Sequence, residues 1–172
     1  MGSLILGGAR SGKTRYALDR AEVLARPDDR RRVMIATAEA FDEEMNDRIA
    51  RHRAERSSGW VTVEAPVTLA QAIGDLAASD VAIVDCLTLW LSNIMAADRD
   101  IEAETQILCA AVAACPATLL LVSNEVGWGI VPDNALARAF RDHAGRLHQR
   151  LAAEVDDVVL VVAGLGLTLK SA

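Results

Sequence analysis

Aromatic side chains are scarce, at 3% of 172 residues, although hydrophobic residues reach 52%. A core of that composition rests on Ala, Leu and Val, which suits buried strands covered by Ala-rich helices and counts against an all-β chain. Cysteine is equally thin. Cys86, Cys109 and Cys115 are odd in number and lack metal-ligand spacing, so they read as reduced core thiols rather than a disulfide framework or a metal cage. Positive charge is in deficit, with a formal net charge of -6. That balance excludes a general nucleic-acid or anionic-membrane surface and leaves room only for a local basic phosphate pocket. No apolar stretch approaches the roughly 20 residues that span a bilayer, and the N-terminus has no secretory signal pattern. The expectation is a cytoplasmic chain with no membrane anchor, folded as one domain over residues 1–172.

What is present is alternation. Short runs rich in Val, Ile and Leu lie near Leu4 to Leu6, Val33 to Thr37, Val61 to Glu64, Val81 to Asp85, Thr118 to Ser123, Val158 to Val162 and Leu165 to Leu169. Segments of helical period separate them, as a parallel sheet with crossover helices requires. The last two runs, divided by Gly164, predict a closing antiparallel hairpin. Leu69, Ala72, Ile73 and Leu76 form one core-facing stripe, and Leu136, Ala139, Phe140, His143, Leu147 and Leu151 form another. Asp28 and Asp29 with Arg30 to Arg32 read as a solvated turn. The fold class is α/β.

Between the first strand and the first helix stands Gly7-Gly8-Ala9-Arg10-Ser11-Gly12-Lys13-Thr14. Glycine at 7 and 12 lets backbone N–H groups wrap a phosphate chain while the following helix dipole points at it. Lys13 is one of two lysines in the chain and falls where the β and γ oxygens of a nucleotide are reached. Thr14 offers a hydroxyl to Mg²⁺, and Asp85, ending the run Val81-Ala82-Ile83-Val84, supplies a carboxylate to the same ion directly or through water. This is a P-loop NTPase-like, RecA-like pattern for ATP or GTP. An ordinary glycine turn and a strand-end Asp are the bland alternatives, and the scarcity of lysine weighs against them.

Residues 42–53 read as an amphipathic helix with acidic residues first and basic ones later, placing Met45, Ile49 and His52 on one face. A neutral imidazole at His52, flanked by Arg51 and Arg53, has the chemistry to attack phosphorus, while a rim residue of an Arg-rich helix is the plainer reading. His143 and His148 are five apart on the long helix, poor spacing for shared metal ligation, and read as structural.

Taken together, the loop at 7 to 14, Ile35-Ala36-Thr37, Glu44-Met45 with Arg48-Ile49 and His52, and Trp60 to Glu64 resemble the bifunctional adenosylcobinamide kinase/adenosylcobinamide-phosphate guanylyltransferase family. Asn124-Glu125-Val126-Gly127-Trp128-Gly129-Ile130-Val131-Pro132 and Phe140-Arg141-Asp142-His143-Ala144-Gly145-Arg146 extend the likeness over nearly the whole chain. The resemblance implies phosphorylation of adenosylcobinamide, then GMP transfer from GTP onto the product through a GMP-histidine intermediate at His52. It also implies nucleotide contacts at Ala36, Thr37, Ala38, Arg53, Ala54, Glu55, Arg56 and Glu64, a corrinoid substrate, and a homotrimer. Glu64 suits the guanine N1–H and amino group, since a carboxylate accepts from both. Asn124 and Glu125 are expected to point into the cleft. Asp85 stands where relatives often carry Glu, Thr14 where they carry Ser, and Arg51-His52 where some carry two histidines. Two other readings compete, a monofunctional P-loop small-molecule kinase and a nucleotide-controlled binding module.

Overall fold

The computed structural model describes residues 1–38 and 59–171. Each apolar run is a strand: β1 Gly2–Gly7, β2 Arg31–Ala36, β3 Trp60–Glu64, β4 Asp80–Asp85, β5 Thr118–Asn124, β6 Asp157–Val162 and β7 Leu165–Lys170. They form one sheet in the order β3-β2-β4-β5-β1-β6-β7. Every neighbouring pair is parallel except β6 with β7, the expected antiparallel hairpin. The helices are α1 Lys13–Ala25, α2 Leu69–Gly74, α3 Leu87–Ala96, α4 Ile101–Ala114 and α5 Ala135–Glu154.

The inner strands are continuous apolar runs because both faces of the sheet are covered. Successive strand residues point to opposite faces. Leu4, Val33, Ile35, Ala82, Val84, Leu119 and Leu121 therefore enter a core with α2, α3, α4 and α5, centred on Leu69, Trp90, Leu91, Leu108 and Leu147. Ile5, Met34, Val81, Ile83, Leu120 and Val122 enter a second core under α1, against Ala17, Leu18 and Ala21. Small residues on α1 let it lie close to the sheet, and this fixes the loop that precedes it.

Two expectations need correction. The turn before β2 is solvated at Asp28, Asp29 and Arg31, whereas Arg30 and Arg32 are half-buried. Arg30 donates to the carbonyls of Ala78, Ser79 and Asp80 and to Thr118 Oγ1. Arg31 grips the buried Asp80 carboxylate with Nε at 2.8 Å and a terminal nitrogen at 2.5 Å. Arg32 and the Trp60 indole share the carboxylate of Glu22. Strand-end carbonyls and a buried carboxylate need donors, and the guanidinium fork supplies them, so these arginines are structural clamps. Leu136 is the other correction: it begins the predicted core stripe of α5 but is 70% exposed, and the buried face starts at Ala144. The first turn of α5 projects past the layer that the rest of the helix covers.

Candidate active site

Six parallel strands bring their C-terminal ends to one edge of the sheet, where open α/β folds bind ligands. Gly7 and Gly8 leave that edge from β1, Thr37 and Ala38 from β2, and Asn124 ends β5 with Glu125 following it. Glu64 and Asp85 are the last residues of β3 and β4. Register places Gly7 beside Asn124 and Asp85 between Ala36 and Val122.

The turn from β1 into α1 is closed by Ser11 N–H donating to Gly8 O at 3.2 Å and Tyr16 N–H to Gly12 O at 2.9 Å. Gly12 has φ 91°, a left-handed conformation that suits glycine, and it starts α1 with no side-chain cap and no acidic residue in the first turn. Helix α4 differs, beginning on Asp100, which accepts from Ala103 N–H, and carrying Glu102 and Glu104 in its first turn. The N-terminal donors of α1 are thus left for an anion. A Cβ at Gly7 would lie 2.5 Å from Ser11 Oγ and 2.6 Å from the Val161 carbonyl, and one at Gly12 would lie 3.1 Å from Gly164 Cα. The β6–β7 turn backs the loop, with Gly164 N–H donating to Ser11 O at 2.8 Å. Lys13 is buried and its Nζ donates to Gly8 O at 3.2 Å, which holds the ammonium over the loop.

Asp85 and Lys13 share one electrostatic neighbourhood. Burial pushes the Cys86 thiol above its ordinary range, the Asp85 carboxylate adds to that, and Lys13 opposes it. Thr14, in the first turn of α1, and Asp85 are both half-buried. They offer a hydroxyl and a carboxylate, the hard oxygen donors that Mg²⁺ takes together with phosphate and water. Among the described residues, no three His, Cys, Asp or Glu side chains gather as a metal cage.

A polar network fixes the floor of the edge. Thr37 is fully buried; its hydroxyl donates to Cys86 O at 2.7 Å and accepts from Cys86 N–H at 2.9 Å. Asn93 donates to the carbonyls of Thr37 and Pro66 at 2.8 and 3.0 Å. Asn124 Nδ2 donates to Thr88 Oγ1 at 3.1 Å, and Thr88 contacts Cys86 Sγ at 3.1 Å. Ala36 accepts from Ala65 N–H through its carbonyl at 2.9 Å. Cys86, Thr88 and Asn93 carried no motif, because each acts through partners distant in sequence. The resemblance implies nucleotide contact at Thr37, yet its hydroxyl is spent on the Cys86 backbone, its N–H donates to Asp85 O at 3.3 Å and its carbonyl accepts from Asn93, so the fully buried residue serves the floor of the edge.

Beyond β5, Glu125 N–H donates to Gly7 O at 3.0 Å, tying this segment to the loop. Its carboxylate accepts from Gly127 N–H and stands 4.0 Å from His148 Nδ1. His148 Nε2 lies 2.7 Å from the buried hydroxyl of Ser123. Burial holds the imidazole pKa below its ordinary value, with Glu125 pulling the other way. His148 is structural, as the sequence indicated. Glu64 is exposed at the end of β3, an edge strand of the sheet. His52, Arg53, Ala54, Glu55 and Arg56 lie outside the described residues.

A family model described as cobinamide kinase / cobinamide phosphate guanyltransferase matches residues 3–169. The chain belongs to that family. The bifunctional adenosylcobalamin biosynthesis protein CobU of Salmonella typhimurium is 44% identical over 97% of this chain and 98% of its own. The bifunctional adenosylcobalamin biosynthesis protein CobP of Pseudomonas aeruginosa is also 44% identical, over 99% and 98%. The Escherichia coli CobU protein is 42% identical over 97% and 98%. Membership in this cobinamide kinase/guanyltransferase family fits the edge described above, where a glycine-rich loop, a buried lysine and a strand-end carboxylate stand at the C-terminal ends of the parallel strands.

Proposed function

We propose that this chain carries both activities of its family on one nucleotide site within a single catalytic domain, residues 1–172. As a kinase it transfers the γ-phosphoryl group of ATP or GTP to the hydroxyl of adenosylcobinamide. As a guanylyltransferase it moves GMP from GTP onto adenosylcobinamide phosphate, giving adenosylcobinamide-GDP and pyrophosphate. The observation that carries this reading is the uncapped start of α1 under the 7-to-14 loop, with Lys13 folded over it. Ser11 Oγ supports it too, being buried with no hydrogen-bond partner among the described residues, a cost that a phosphate oxygen removes.

For the transferase, the loop holds the β and γ phosphates as the leaving group. A lone pair on the His52 imidazole attacks the α-phosphorus, a P–N bond forms, and the bond to the β-phosphate oxygen breaks to release pyrophosphate. A phosphate oxygen of the corrinoid then attacks the same phosphorus, and the P–N bond breaks. Lys13 and the α1 N–H groups stabilise charge on the transferring oxygens in both reactions. Thr14 and Asp85 would hold Mg²⁺, which would supply charge neutralisation at the phosphates. Ala36, Thr37, Ala38, Arg53, Ala54, Glu55, Arg56 and Glu64 complete the nucleotide site in this proposal, Thr37 by holding the floor beneath it. The assembly is a homotrimer, to be checked by light scattering.

Incubation with α-labelled GTP and Mg²⁺ tests the reading. Wild-type protein is expected to take up an acid-labile, alkali-stable label that His52→Ala lacks while still phosphorylating cobinamide. Label retained in His52→Ala places the nucleophile elsewhere, and no label on the wild type reduces the chain to a kinase. Lys13→Ala is expected to lose both activities.

A further inference from the structure

Between the turn after β5 and the middle of α5 lies a cavity of about 360 Å³, lined by Gly127, Arg141, Asp142, Gly145, Arg146 and Gln149. Its wall is two hydrogen bonds from the phosphate loop, because Gly127 N–H donates to the Glu125 side chain and Glu125 N–H to Gly7 O. Two guanidinium groups face one carboxylate in it. Arg141 spends part of its charge on Asp142 at 3.5 Å, whereas Arg146 has no carboxylate partner among the described residues. The cavity therefore favours an anion, and a guanidinium fork matches the oxygens of a phosphate ester.

Gly145 points the same way. It sits inside the twenty-residue α5, where glycine is roughly 0.5–1 kcal/mol worse than alanine. Among the described residues nothing lies within 4 Å of a Cβ built there, so no packing neighbour among them accounts for the missing side chain. What its absence does is keep the cavity open.

Beside the cavity runs an apolar rim, in which Trp128 is 76% exposed, Ile130 96% and Val131 61%, with exposed Leu136 following. These side chains are held outward on a braced segment. Glu125 caps Gly127, Arg138 donates to the carbonyls of Pro132 and Asp133 at 2.9 and 2.7 Å, and Asn134 caps α5 by accepting from Ala137 N–H at 2.7 Å. A fixed apolar surface beside a basic cavity marks a binding site for an amphipathic ligand.

We infer that this cavity and rim form the acceptor subsite. Arg146, assisted by Arg141, grips the phosphate of cobinamide phosphate, and Trp128, Ile130 and Val131 lie against its corrin macrocycle. The inference rests on the proposed function for the identity of the ligand. Charge and shape select it, an anionic ester on a broad ring that is largely apolar across its face. Its position beside the loop lets the ester approach the nucleotide's α-phosphate.

Equilibrium dialysis of cobinamide phosphate against the full chain reads the site without catalysis, and GMP loading from labelled GTP reads the nucleotide site separately. Arg146→Ala is expected to raise Kd roughly tenfold, the loss of one charge-assisted hydrogen bond. Gly145→Leu is expected to abolish corrinoid binding while Tm holds or rises, a combination that a merely structural role for Gly145 does not give. Trp128→Ala weakens binding of both cobinamide and its phosphate, and all three variants load GMP as wild type does. Wild-type Kd in both Gly145→Leu and Arg146→Ala overturns the assignment, as does wild-type protein that loads GMP but binds no cobinamide phosphate. A Trp128→Ala protein of altered oligomeric mass with unchanged Kd makes the rim an interface between copies instead, and the assignment fails there too. Failure of wild-type GMP loading speaks against the transferase reading alone, since dialysis still decides the subsite.

Discussion

His148 shows how one side chain ties the site to pH. Its Nδ1 faces Glu125 and its Nε2 faces Ser123, an arrangement satisfied by a proton on Nδ1 with Nε2 accepting from the hydroxyl. Burial lowers its pKa, so the unfolded chain binds more protons than the folded one below the ordinary histidine value. The stabilisation is full above about pH 6.5 and is lost as pH falls towards the folded value. Urea midpoints are expected to drop between about pH 7 and 5, with a shallower fall in His148→Gln; equal slopes in the two proteins defeat this account. Gly7 gives a steric counterpart. Gly7→Ala drives a methyl group into Ser11 Oγ and a backbone carbonyl, at a cost of about 1–3 kcal/mol. Gly8→Ala meets nothing within 4 Å among the described residues and is expected to change stability by less than about 0.5 kcal/mol; thermal unfolding of the pair checks both. The sequence revealed both glycines as motif positions, but the Val161 carbonyl that makes one of them obligatory lies on another strand.

At the scale of elements, the seven strands of the described residues stand where the sequence offers six or seven apolar runs, because β-rich runs bounded by breakers carry their own signature. The helices were less so. In α3 the buried residues Leu87, Thr88, Trp90, Leu91 and Ile94 stand among further apolar residues, so no polar face contrasts with them. In α4 the small residues Cys109, Ala110, Ala111, Ala113 and Ala114 blur the stripe through Leu108 and Val112. The arginine clamps at the start of β2 were hidden for another reason, since Asp80, Ala78 and Thr118 reach them only through the fold. The same holds for the floor of the site, where Cys86, Thr88 and Asn93 act on residues from other strands. Helix caps follow local rules. Asn134→Ala removes the acceptor for Ala137 N–H, and is expected to destabilise the protein by about 1 kcal/mol in denaturant titration. Because that cap also holds the apolar rim, corrinoid affinity is expected to fall with it.

For the molecule as a whole, binding and folding are linked. GTP at about a hundred times its Kd is expected to raise unfolding free energy by about 2.7 kcal/mol. Calorimetric scans with and without nucleotide measure this, and an equal rise in Lys13→Ala would mean that the ligand sits elsewhere. Among the described residues no helix is long and apolar enough to cross a membrane. The net charge of -6 makes the arginines beside the loop a local exception in an acidic molecule. The contact between Ser11 and Gly164 has a further consequence. The curvature of a loop near one end of the chain is held by a hairpin from the other end, so a nick between β6 and β7 is expected to slacken the loop at residues 7 to 14 while leaving every residue of its motif intact.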